Sequence, residues 1–159
     1  MNWGTNSITD HRANRLFRTQ IENLYVEAMV LADEAYGCFS IGRDLGAAAP
    51  LEGAAARVAL ACESLKTTTR LMHVIAWLLH QRALIAGEPG ASAKDSAAQL
   101  GDALPADAAL CQGFAPAVQR IVADSERLFD RVKRLDREWH ARRPETPVQA
   151  LLGELQLRL

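Results

Sequence analysis

Three stretches of the chain alternate apolar residues at spacings of three and four, the period of a helix with one buried face. The first runs from near Asn14 to Phe39, with Phe17, Ile21, Leu24, Ala28, Leu31, Ala35 and Cys38 as its seam and Tyr25, Ala32 and Phe39 widening one flank. Gly37, Gly42 and Gly46 loosen the chain around and beyond its end, and Pro50 suits a first-turn position. The second stretch starts near Ala54 and ends at the breakers Gly87 to Pro89. A polar, Ala/Gly/Ser-rich connector follows, with room for a short helix near Ala93 to Leu100 and a turn or two between Pro105 and Phe114. Pro116 suits the first turn of a third helix that Pro144 stops. Its seam is Val118, Ile121, Ser125, Leu128, Val132, Leu135 and Trp139. Strands are not expected, because no stretch alternates with period two. The pattern predicts an all-α antiparallel bundle of three long helices over residues 14–143, preceded by a frayed segment at 1–13. A short amphipathic tail, 144–159, carries Val148, Leu151, Leu152 and Leu155 on one side.

The middle helix breaks the one-face rule. Leu65, Met72, Ala76, Leu79 and Ala83 form one stripe; Leu71, Val74, Leu78 and Ile85 form a second. A helix with two apolar sides needs cover on two sides, so a homodimer through this helix is expected. Eight of the nine residues from Leu71 to Leu79 are apolar, which is too short a run to span a bilayer.

Charge narrows the partners. Lys and Arg number 18 against 19 Asp and Glu, so no net field draws the protein to nucleic acid or an anionic membrane. The third helix has a local basic surplus from Arg120 to Arg143, but its signs are interleaved as on a solvated face. The first helix is acidic in balance and is a natural counterpart. Cys38, Cys62 and Cys111 are too few and too scattered for a disulfide framework and fit a reducing cytoplasm. His73 and His80 stand two helical turns apart, roughly 10.5 Å, too far to share a metal within one chain. They are read as core or interface residues. No phosphate-binding glycine loop is present. The pair Glu63 and Arg70 is read as structural ion pairing, with no catalytic, metal or cofactor-binding residue assigned.

The run from Glu63 to Ala83, ESLKTTTRLMHVIAWLLHQRA, resembles the signature helix of the alphaproteobacterial family named for the regulator of CtrA degradation, RcdA. Glu63, Ser64, Thr68, Thr69, Arg70, Leu71, Met72, Trp77, Leu78, Leu79, Gln81, Arg82 and Ala83 match that pattern; Leu65, Lys66, Thr67 and His73 depart from it. A later stretch, Arg131 to Asp136, is similar to another helix of the family. The resemblance implies a non-enzymatic adaptor that bridges substrates such as the transcription factor CtrA to the protease ClpXP, primed by the response-regulator-like CpdR. It makes Glu63, Arg70, Met72, Trp77, Leu78, Gln81 and Arg82 candidate interface residues and the tail residues Val148, Leu151, Leu152 and Leu155 a candidate delivery arm. The alternative is a dimeric regulatory or ligand-binding bundle with other partners.

Overall fold

The computed structural model describes residues 5–45, 53–92 and 99–142. Four helices follow in order: α1 (Thr5–Leu45), α2 (Ala54–Ala86), the single turn α3 (Ala108–Cys111) and α4 (Pro116–Arg142). No strand occurs among the described residues. The fold is the expected all-α bundle of three long helices. The expected short helix near Ala93 falls largely outside the described residues, as does the tail.

The helix ends follow local chemistry. Gly87 takes the left-handed conformation (φ 68°) that only glycine adopts without strain, and Glu88 N–H donates to Ala83 O to close α2. Asp107 caps α3 by accepting from Ala109 N and Leu110 N. The bounds of α1 correct the sequence reading: it begins at Thr5, not near Asn14, and continues past Gly37 to Leu45. Between Thr5 and Leu45 there is no proline, and a glycine in a helix costs only about 1 kcal/mol against alanine. Helical backbone therefore extends beyond the apolar seam at both ends.

The seams of α1 and α4 are buried as their spacing requires. Phe17, Ile21, Leu24, Ala28, Leu31, Ala35 and Phe39 face inward from α1, with Phe39 taking the place expected for Cys38. Val118, Ile121, Val122, Leu128, Phe129 and Val132 do so from α4. Between these helices Arg120 reaches Glu34 (3.1 Å) and Arg131 reaches Glu27 (2.6 Å), so the basic helix does meet the acidic one. Exposed pairs of this kind contribute at most about 1 kcal/mol each, and their main effect is on register.

These contacts set the topology. Phe17 stacks on Trp139 at one end, with ring centroids 3.8 Å apart, while Glu34 pairs with Arg120 toward the other. α1 and α4 are therefore antiparallel. Arg82 bonds Glu22 (2.9 Å), and Tyr36 and Phe39 line a groove with Ser64 and Thr68, so α1 is antiparallel to α2 as well. It follows that α2 and α4 are parallel, as the contacts Arg70–Ser125 and Trp77–Asp136 confirm, so of the antiparallel arrangement expected from sequence only the two pairings with α1 are found. Two parallel neighbours need a connection that travels back along the whole bundle, which is the task of the long connector.

Candidate functional site

The inner face of α2 mixes polar and apolar residues. Leu60, Glu63, Thr67, Arg70, Val74, Trp77 and Gln81 step 3-4-3-4-3-4, and all are buried. Glu63 and Thr67 are fully buried, and Arg70 and Gln81 keep only 2% of their surface. Five of the seven residues assigned to a candidate interface (Glu63, Arg70, Trp77, Leu78 and Gln81) thus belong to the interior of the bundle. Leu78, with no exposed surface, is a core residue and not part of an outward face. Met72 stands on the opposite side of α2 and is 64% exposed. Arg82 is half-exposed, bonded to Glu22 and laid over the Tyr25 ring at 4.4 Å.

The buried polar groups grip the returning connector. Ser92 O lies 3.0 Å from His80 Nε2, and Gly101 packs on the His73 ring so closely that a Cβ there would sit 3.0 Å from it. Arg70 Nη1 donates to Leu104 O (2.8 Å), and Asp107 N donates to Glu63 Oε1 (3.1 Å). From α4, Glu126 Oε1 accepts from Ala106 N at 2.7 Å. The connector rises from 92 to 107 as its partners on α2 descend from 80 to 63. Residues 99–107 are thus an extended strap in the α2–α4 groove. Leu100, Ala103 and Ala106 turn toward the core.

Arg70 is the pivot. Its remaining donors reach Ser125 Oγ (3.1 Å) and Thr67 Oγ1 (3.1 Å), while Ser125 Oγ donates onward to Val122 O. Glu63 takes Lys66 at 2.7 Å, so the structural pairing expected of Glu63 and Arg70 is realised as an ion pair for Glu63 alone, and the two residues act as separate anchors on one strap. Burial pulls the Arg70 guanidinium below its usual pKa, against the opposing pull of the Glu126 and Glu63 carboxylates. Burial also pushes the Cys111 thiol up, and the Glu63, Glu126 and Asp107 carboxylates push in the same direction. These groups serve to hold main chain. No cluster of metal-binding side chains occurs among the described residues.

The opposite face of α2 is apolar and uncovered. Val58, Leu65, Met72 and Leu79 recur every seven residues and are 61%, 68%, 64% and 44% exposed. Beside them, a groove of about 270 Å³ runs between α1 and α2. Sequence reasoning identified this stripe but missed Val58, which is hidden in an alanine-rich stretch.

A family model matches residues 12–159, and its description is a protein of unknown function, DUF1465. The chain belongs to this family. No curated protein matches it significantly. Among solved structures, RcdA from Caulobacter crescentus CB15 is similar, with 28% identity and a TM-score of 0.61. That match covers 79% of this chain and 95% of RcdA. The resemblance drawn from the signature helix is thereby borne out at the level of family and fold. No helix among the described residues is long and apolar enough to cross a membrane.

Proposed function

We propose that the protein is a non-enzymatic cytoplasmic adaptor in regulated proteolysis, holding substrates such as CtrA beside a ClpXP protease primed by a CpdR-like response regulator. The observation that carries this reading is the similarity to RcdA over nearly the whole of that chain. The polar groups add support: Glu63, Arg70, Ser125 and Glu126 are occupied with structural hydrogen bonds inside the bundle, which suits a scaffold. An adaptor acts by effective concentration, so that weak contacts become productive once substrate and protease share one body. It needs faces and no reaction centre. The uncovered stripe of α2 is the face we assign to a second copy, in a two-fold dimer. The tail, with Val148, Leu151, Leu152 and Leu155, is assigned to delivery.

Reconstituted degradation tests the proposal. CtrA turnover by ClpXP with the CpdR-like protein is measured with and without this protein, and the expected outcome is faster turnover only when all components are present. Unchanged turnover, with each partner shown to be active, would overturn it in favour of a bundle with other partners.

A further inference from the structure

We infer that the cleft where α1 around Phe17 meets the C-terminal ends of α2 and α4 binds the end of a polypeptide chain, taking an apolar last residue together with its free carboxylate. The cleft has a volume of about 370 Å³, within the size range of small-ligand sites. Its apolar lining comes from Phe17, Leu84, Ile85 and Trp139. Phe17 is buried and lies flat against Trp139, with the ring planes 5° apart, so the floor is a fixed aromatic surface.

Gln81 selects a peptide as the occupant. It lines the cleft and keeps only 2% of its surface, and its side-chain amide has no hydrogen-bond partner among the described residues. The other polar side chains of the same seam are engaged: Glu63 and Arg70 hold the strap, and Thr67 accepts from Arg70. A buried amide without a partner is destabilising, and a ligand that meets it recovers that loss on binding. A carboxamide offers an acceptor oxygen and donor hydrogens side by side, the complement of a peptide group's N–H and C=O. An acyl chain has no group to give it.

Charge sets which part of a polypeptide fits. Arg15 and Arg18 line the cleft and stand one turn apart on the same face of α1. From Arg12 to Arg18 the chain carries three arginines and no acid, and Arg15 and Arg18 form no ion pair among the described residues. By contrast, Arg82, Arg120 and Arg131 are each paired with a glutamate of α1. Two unpaired guanidiniums beside an apolar floor fit a carboxylate next to an apolar side chain, which is what the last residue of a chain presents. An internal acidic residue carries its charge with no apolar group at the same position. The inference goes beyond the adaptor reading and does not rest on it, because Gln81 faces inward and the stripe assigned to a second copy lies on the opposite side of α2.

Full-length protein labelled with 5-fluorotryptophan tests the site through the Trp139 resonance, assigned with Trp139→Phe. The probe is the peptide acetyl-Gly-Ser-Gly-Ser-Leu-Leu with a free C-terminal carboxylate. It should move the Trp139 resonance saturably and leave the Trp77 resonance in place. Amidating the peptide's C-terminus, or making the double variant Arg15→Gln/Arg18→Gln, should weaken binding about tenfold. Gln81→Leu should weaken peptide binding to a similar degree while the melting temperature stays or rises, because the amide it removes has no partner to lose. Laurate, with a carboxylate and an apolar chain but no peptide group, should bind more weakly than the peptide and equally well to Gln81→Leu. An unmoved Trp139 resonance up to about 1 mM peptide would overturn the inference. So would equal binding of the amidated peptide, or a lowered melting temperature with unchanged binding in Gln81→Leu, which would make that amide purely structural. Laurate binding more tightly than the peptide would make the cleft an acyl-chain site and overturn it. A Trp139 resonance that shifts with protein concentration alone would place a second copy there, with the same consequence.

Discussion

From inside the bundle, Arg70 of α2 holds the main-chain carbonyl of Leu104 at 2.8 Å. The same guanidinium bonds Thr67 on its own helix and Ser125 on α4, so one side chain ties two parallel helices to the strap that joins them. A buried cation held by neutral acceptors is costly to desolvate, and its removal leaves those acceptors without a donor.

Replacing Arg70 with alanine should therefore destabilise the protein by about 3 kcal/mol, from the cavity and the unsatisfied acceptors together, read from urea unfolding. Arg70→Met, which keeps much of the volume, should lose less. Thr67 can turn to a carbonyl of its own helix, and Ser125 already bonds Val122 O. Equal losses for the two variants would mean that the hydrogen bonds, not the filled space, dominate.

The approach of Gly101 to His73 makes a second prediction. A methyl group at Gly101 would stand 3.0 Å from Cε1 and Nδ1 of the imidazole, so the ring or the strap must move. Gly101→Ala should cost about 1 kcal/mol in the natural protein. In a His73→Ala background the same change should cost almost nothing. A double-mutant cycle reads the coupling, and additive losses would show that the strap yields without the ring.

The cysteines report the polar cluster from another side. Cys111 has its thiol raised above the usual value by burial and three carboxylates, while Cys62 is exposed. A raised pKa means less thiolate at a given pH, and the thiolate is the nucleophile. Alkylation at pH 8 should thus be slower at Cys111 than at Cys62, with its rate rising only at higher pH. Glu63→Gln should shift the Cys111 profile toward lower pH. Peptide mapping after timed iodoacetamide labelling measures both.

How much of this was legible in the sequence depends on what each seam is made of. Phe17 to Phe39, and Val118 to Val132 apart from Ser125, are apolar at regular spacing, and the chain buries them as that spacing demands. The inner seam of α2 keeps the same 3-4 rhythm but writes it in Glu63, Thr67, Arg70 and Gln81, which a reading by hydrophobicity assigns to the surface. Only the rhythm itself, continuous from Leu60 to Gln81, could have identified it. Nor does periodicity show that α2 and α4 are parallel. That follows from pairs distant in sequence, such as Trp77 with Asp136 (2.8 Å). The strap was invisible for the same reason: side chains elsewhere hold its main chain, and its own residues form no pattern.

The two stripes of α2 make the last prediction, since the structure separates them. Leu78 is wholly buried within the bundle, so Leu78→Asp would place an unpaired charge in the core and unfold the protein without reporting on a dimer. Leu65 and Met72 are more than half exposed, and a charge there leaves the monomer's core untouched. In a two-fold dimer through Val58, Leu65, Met72 and Leu79, each stripe meets its own copy, so one substitution places two like charges in the contact. Met72→Asp and Leu65→Asp should each convert a species of twice 17.4 kDa into one of 17.4 kDa in sedimentation at micromolar concentration, with circular dichroism and melting still helical and cooperative. Exposed Arg137→Asp on α4, away from the stripe, should leave the dimer intact. If the natural protein already sediments as a monomer, the stripe is vacant in the isolated protein and the two-fold assignment fails. If Met72→Asp remains a dimer, the copies meet through another surface.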